Sequence, residues 1–120
     1  MTDYKMGVVE SRFADLIWEN EPLSSGELVR LCGERLDWKK STTYTVLKKL
    51  CERGLFQNTD GEVRSLISRQ EYDAMQSESF VEEHFDGSLP AFLAAFTKSR
   101  ALSQKEIDAI RRMIDSYGED

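Results

Sequence analysis

Between Lys39 and Arg53 the chain interleaves two kinds of side chain that suit one chemistry. Lys39, Lys40, Lys48, Lys49 and Arg53 are cations, and Arg64 follows a little further on. Lysine and arginine neutralise phosphates and release condensed counterions, the main source of non-specific affinity for a nucleic-acid backbone. Ser41, Thr42, Tyr44 and Thr45 stand among them. Their hydroxyls can hydrogen-bond base edges or phosphates, and a threonine methyl can meet a thymine methyl. A helix starting near Ser41 would carry these hydroxyls in its first turns, where a recognition helix reaches base edges. The candidate DNA contacts are therefore Lys39, Lys40, Ser41, Thr42, Tyr44, Thr45, Lys48, Lys49 and Arg64. Other roles stay open for several of them. Ser41 or Thr42 can simply cap the helix, Tyr44 can pack on the first helix, and Lys48 and Lys49 can be plain solvated charges. Thr43 reads as core.

No competing chemistry is legible. There is no nucleophile–base pairing, no glycine-rich phosphate loop and no ligand cluster, so no catalytic residue, small-molecule substrate or cofactor is expected. His84 is the single histidine; it reads as a surface or interface residue, and no metal site is expected. Cys32 and Cys51 read as small buried hydrophobes rather than as a disulfide or reactive thiols. Trp18 and Trp38 read as packing residues rather than stacking platforms.

The net charge of −6 looks wrong for a nucleic-acid binder, but its distribution is uneven. Residues 1–29 carry 2 basic and 6 acidic side chains, residues 30–69 carry 9 and 5, and residues 70–120 carry 5 and 11. The middle is a basic island, and a phosphate backbone feels the local field. With 40% hydrophobic and 32% charged residues the composition is that of a folded chain. No apolar run approaches the roughly 20 residues of a membrane span, and Met1-Thr2-Asp3-Tyr4-Lys5 has no signal-peptide character. The expected location is the cytoplasm.

The elements that would position the candidate residues follow from periodicity and caps. Val9, Phe13, Leu16 and Ile17 form one stripe of a helix from about Val9 to Asn20, stopped by Pro22. Ser24 with Glu27 is a capping box, with Leu23 and Leu28 as a hydrophobic staple, and opens a second helix to about Leu36. Asp37-Trp38-Lys39-Lys40 makes a turn. The third helix spans about Ser41 to Arg53 and ends at Gly54. Two short extended runs around Thr59-Asp60-Gly61-Glu62 read as a β-hairpin. Ser68 with Glu71 caps a fourth helix to about Phe85, Pro90 sits in the first turn of a fifth to about Lys98, and Ser103 with Glu106 caps a sixth to about Tyr117. The fold class is mainly α with a small β-hairpin: a winged helix-turn-helix domain over 1–68 and a helical region over 69–120.

That second region is too apolar for an exposed arm. Phe80, Leu89, Phe92, Leu93, Phe96, Ile107, Ile110, Met113 and Ile114 need a surface to cover them. Folding back on the first domain is one solution; pairing with a second copy is the other, and it alone duplicates the reading head. These nine residues are the expected dimerisation set.

The stretch from Trp38 to Leu50, followed by Glu52-Arg53-Gly54, resembles the recognition-helix signature of the penicillinase-repressor family (BlaI/MecI/CopY) of winged-helix transcriptional regulators. The first-helix stretch ESRFADLIWE and the run SRQEYDAMQSESFVEEHFDGSLPAFLAAF resemble the same family. The resemblance implies a homodimeric repressor that sits on a palindromic operator through Ser41, Thr42, Tyr44, Thr45 and Lys49, with Arg64 on the wing. It also implies release by proteolysis within the dimerisation region, the partner being a membrane-bound sensor protease. Three departures stand out. Family members that respond to β-lactams are cut between Asn and Phe, and the corresponding bond here is Ala95-Phe96. Copper-responsive members carry C-terminal CxC pairs, which Asp115-Ser116-Tyr117-Gly118-Glu119-Asp120 lacks. The second wing strand holds Val63, Ser65 and Leu66 instead of the usual aromatics. A winged-helix adaptor that contacts proteins and not DNA is the alternative left open by the net charge.

Overall fold

The computed structural model describes residues 4–118 of the 120-residue chain. Helix α1, Val8–Asn20, buries Phe13, Ala14, Leu16 and Ile17. Its first turn lies outside the core: Val9, expected in the apolar stripe, is 56% exposed. The chain then enters a strand too short to leave a pattern in the sequence, β1 (Leu23–Ser24). Helix α2, Ser25–Leu36, starts as anticipated, with the Ser24 hydroxyl accepting the Glu27 N–H at 3.0 Å. The reciprocal half of that box is absent, because the Glu27 carboxylate accepts from Arg30 instead, with Nε at 3.2 Å. A charged acceptor one turn from a guanidinium makes a stronger bond there than with a neutral amide.

Asp37 closes α2 in the left-handed conformation, φ 57°, and its N–H and that of Trp38 both donate to the Cys32 carbonyl. This tight joint turns the chain into α3, Lys40–Glu52. The Trp38 ring stacks on Phe13 with centroids 5.4 Å apart, which fixes the joint to α1. Gly54, at φ 84°, stops α3. Its N–H reaches the Cys51 carbonyl and the Leu55 N–H reaches the Leu50 carbonyl, the paired bonds of a Schellman motif.

Strands β2 (Phe56–Thr59) and β3 (Glu62–Ser65) form the expected hairpin. Asp60 and Gly61 both have positive φ, as a two-residue type I′ turn requires. The sheet is antiparallel in the order β1-β3-β2, with Leu23 opposite Val63 and Phe56 opposite Ser65. Leu28, Leu31 and Cys32 of α2, Leu47 and Leu50 of α3, and Leu55, Phe56 and Val63 close one core with the buried face of α1. Helices and sheet together make a winged helix-turn-helix head.

Helix α4, Arg69–Phe85, is opened by the reciprocal Ser68–Glu71 box. Its first turns belong to the head. Tyr72 is buried, its hydroxyl accepts the Met6 N–H at 3.1 Å, and its ring meets Trp18 at 5.7 Å. Arg69 pairs with Asp15 at 2.6 Å. The chain divides into two compact units between Ser77 and Glu78, within α4.

The second unit contains the rest of α4, α5 (Leu89–Ser99) and α6 (Gln104–Tyr117). Ser88 and Ser103 cap α5 and α6, the latter with the full box to Glu106. Phe80, Phe85, Phe92 and Phe96 form a chain of ring contacts, Phe85 to Phe92 being edge-on at 5.7 Å. Yet from Asp73 to Gly118 no residue is buried. This unit has aromatic contacts but no interior of its own.

Candidate nucleic-acid interface

Helix α3 divides cleanly into two faces. Thr43, Leu47 and Leu50 are buried, and Ser41, Thr42, Tyr44, Thr45, Lys48 and Lys49 are exposed. The 3.6-residue period explains the split, since the three buried positions recur at spacings of four and three. Thr43 is core, with its hydroxyl donating to the Lys39 carbonyl at 3.2 Å.

The helix starts one residue earlier than the sequence suggested, and its cap is neither Ser41 nor Thr42. Lys39 is the N-cap and makes no side-chain cap bond. Ser41 and Thr42 are thereby freed from capping, and among the described residues their hydroxyls make no hydrogen bond. The Thr45 hydroxyl donates to the Ser41 carbonyl at 2.9 Å. Its proton is used within the helix, so it offers outward only its methyl and acceptor lone pairs. The Tyr44 hydroxyl donates to Ser25 Oγ at 3.1 Å, tying α3 to the start of α2.

The cations differ in what they face. Among the described residues Lys39, Lys40 and Lys48 have no ion-pair partner. Lys49 Nζ lies 3.2 Å from Glu10 Oε2 on α1, and Arg53 Nη1 lies 3.7 Å from the same oxygen. Glu10 Oε1 accepts the Gly7 N–H at 3.2 Å. Burial alone would raise the Glu10 carboxyl, but the Gly7 amide, Lys49 and Arg53 outweigh it and hold the group below its usual range. Arg64 is exposed on β3 and bonded to Glu62, Nε to Oε1 at 3.1 Å. Tyr44, Leu47, Lys48, Cys51 and Asn58 line an open groove between α3 and β2, so hairpin and helix present neighbouring surfaces. Burial pushes both the Cys32 and Cys51 thiols up, away from the reactive thiolate.

Two carboxylates escaped sequence reasoning. Glu10 engages α3, and Glu21 accepts the Ser65 N–H at 2.7 Å, holding the hairpin to the end of α1. No local pattern marks either one, because each partner is remote in sequence. The expected dimerisation residues fall into two groups. Phe80, Leu89, Phe96, Met113 and Ile114 are exposed, while Phe92, Leu93, Ile107 and Ile110 are half-buried among the helices of their own unit. His84 is exposed and lies against the Phe80 ring at 4.5 Å. Among the described residues no helix is long and apolar enough to cross a membrane.

Comparison with known proteins agrees with this architecture. The family model described as penicillinase repressor matches residues 6–116. The methicillin resistance regulatory protein MecI of Staphylococcus aureus strain Mu50 is 22% identical over 116 residues, covering 93% of this chain and 94% of that protein. The penicillinase repressor of Bacillus licheniformis is 23% identical over 106 residues, covering 85% and 83%. MecI of Mammaliicoccus sciuri is 21% identical over 116 residues, covering 93% and 94%. With a helix-turn-helix head, a hairpin beside its exposed third helix and a family match over nearly its whole length, the chain belongs to the penicillinase-repressor family.

Proposed function

We propose that this transcriptional repressor binds a palindromic DNA operator as a homodimer, each head laying α3 in the major groove. The observation that carries the reading is the outward face of α3. Among the described residues, Ser41 and Thr42 hydroxyls without an internal partner stand beside Lys39, Lys40 and Lys48 without an internal counter-charge. Such a face exchanges its bonds to water for bonds to phosphates and base edges without first breaking an internal bond. Arg64 on the hairpin adds a backbone contact beside the helix.

Dimerisation is supported by the second unit. Its exposed Phe80, Leu89, Phe96, Met113 and Ile114 lie on a unit without a buried residue, which a twofold partner would supply with an interior. Cleavage within this unit would separate the heads and release the operator. The Ala95-Phe96 bond lies on α5, with both residues exposed. The signal that would trigger such a cut, through a membrane-bound sensor protease, belongs to the same proposal.

The test is to sequence genomic fragments captured by the purified chain at near-physiological salt. The expected result is an inverted-repeat motif whose half-sites are about one helical turn, or a multiple, apart. A fragment pool without an enriched motif overturns the reading. It would favour a protein-binding adaptor, which the internal pairing of Lys49 and Arg64 with carboxylates would suit.

A further inference from the structure

Glu10 reaches the last turns of α3 from the first turn of α1. Its carboxylate is held by the Gly7 N–H on one oxygen and by Lys49 and Arg53 on the other. Its side chain is 22% exposed, against 62% for Lys49. The carboxylate is the more enclosed and more heavily bonded member of the pair, and the lysine is the more exposed one. Arg53, 23% exposed, also donates to the Lys5 carbonyl, which keeps the carboxylate in place if Lys49 swings away.

We propose that Glu10 stands in for a DNA phosphate, occupying Lys49 in the free protein and lowering the affinity of α3 for any nucleic-acid backbone. The inference rests on the DNA-binding reading above and names what regulates that site. A lysine that already faces a carboxylate must give up that pairing to neutralise a phosphate, so the gain from releasing the DNA's condensed counterions is offset by the lost pair. The uncovered carboxylate would then lie beside the duplex and repel it. Among the described residues Lys39, Lys40 and Lys48 have no such partner and bind phosphate at full strength. The net effect is a head whose backbone contacts are deliberately few, leaving the hydroxyls of Ser41, Thr42 and Thr45 a larger share of the binding.

The experiment uses fluorescence anisotropy with the full chain and a labelled mixed-sequence duplex across a salt series. Glu10→Gln should bind more tightly at low salt and lose affinity more steeply. One additional phosphate contact per head corresponds to a further loss of about threefold for each head, or about tenfold for the two-headed dimer, between about 50 and 200 mM salt. Adding Lys49→Ala to Glu10→Gln should return the slope to that of the wild type. Glu19→Gln, the same charge change on an exposed position of α1, should leave the slope unaltered. Should Glu10→Gln prove unfolded by circular dichroism, Lys49→Ala alone decides. It is expected to leave the wild-type slope nearly unchanged, and the loss of a full phosphate contact would overturn the proposal. A Glu10→Gln slope equal to wild type, or an equal rise in Glu19→Gln, overturns this inference while leaving DNA binding intact. Absence of binding by every variant at low salt overturns the DNA-binding reading itself, and this inference with it.

Discussion

The Glu21 carboxylate holds Ser65 by both of its polar groups, the backbone N–H at 2.7 Å and the hydroxyl at 2.8 Å. The bond joins the end of α1 to the last residue of β3, so one acidic side chain adds to the strand pairing and core packing that hold the hairpin. Glu21→Ala leaves a half-buried N–H unpaired and should cost about 1–3 kcal/mol. Glu21→Gln keeps an acceptor and should cost less. Urea denaturation followed by tryptophan fluorescence measures both, and equal midpoints for Glu21→Ala and wild type would show that the contact contributes nothing.

Gly54 tests the stop at the end of α3. A Cβ there would meet the Tyr4 side chain, a ring carbon at 3.7 Å and the hydroxyl at 4.0 Å, both ordinary contacts, so Gly54→Ala is opposed by the positive φ and not by crowding. The expected cost is about 1–2 kcal/mol. A thermal melt of Gly54→Ala identical to wild type would mean that the helix ends without help from the left-handed residue.

Lys48 and Thr45 should separate backbone affinity from base reading. Lys48→Ala should weaken binding to all sequences about equally and flatten the salt dependence by close to one phosphate per head. Thr45→Ser keeps the hydroxyl but removes the outward methyl, so it should change base preference at one position of the half-site. Selection from a randomised duplex pool reads both outcomes. The same enriched motif for Thr45→Ser and wild type would remove Thr45 from the reading surface.

The second unit gives a direct test of pairing. Ile114 is 60% exposed and Phe96 is 38% exposed, so a charge at either place should be tolerated in a monomer and expelled from an apolar interface. Ile114→Asp and Phe96→Asp should therefore shift the chain from dimer to monomer in sedimentation velocity, with helicity retained. Monomeric wild-type protein at micromolar concentration would contradict the dimer outright.

Acid should loosen the joint between α5 and α6. Arg100 donates to both carboxylate oxygens of Glu106, at 3.0 and 2.9 Å, and with the Ser103 amide and hydroxyl it holds the Glu106 carboxyl down at about 2. The folded value lies below the unfolded one, so the stabilisation is present above pH 4.5 and fades as pH falls toward 2. Glu106→Gln should melt below wild type at pH 6 and converge on it near pH 2. A difference that persists undiminished in acid would show that charge is not the cause.

Local chemistry made much of this fold legible in the sequence. The boxes Ser68–Glu71 and Ser103–Glu106, the stop at Gly54 and the Asp60-Gly61 turn each involve partners within a few residues, so composition and spacing suffice. The two faces of α3 follow from its period for the same reason. The start of α3 was displaced by one residue because Lys39 caps it with backbone alone, a conformation that no side-chain signal announces.

What the tertiary structure decided lies between remote segments. Strand β1 exists only because β3 pairs with it, and Val9 is exposed because the first turn of α1 does not pack into the core. Lys49 faces Glu10, and Ser65 faces Glu21 across 44 positions, through the packing of α1 on α3 and on the hairpin. Residue type told which side chains could neutralise a phosphate. Only the folded chain told which of them already face a carboxylate, because that depends on distances that close when the core forms.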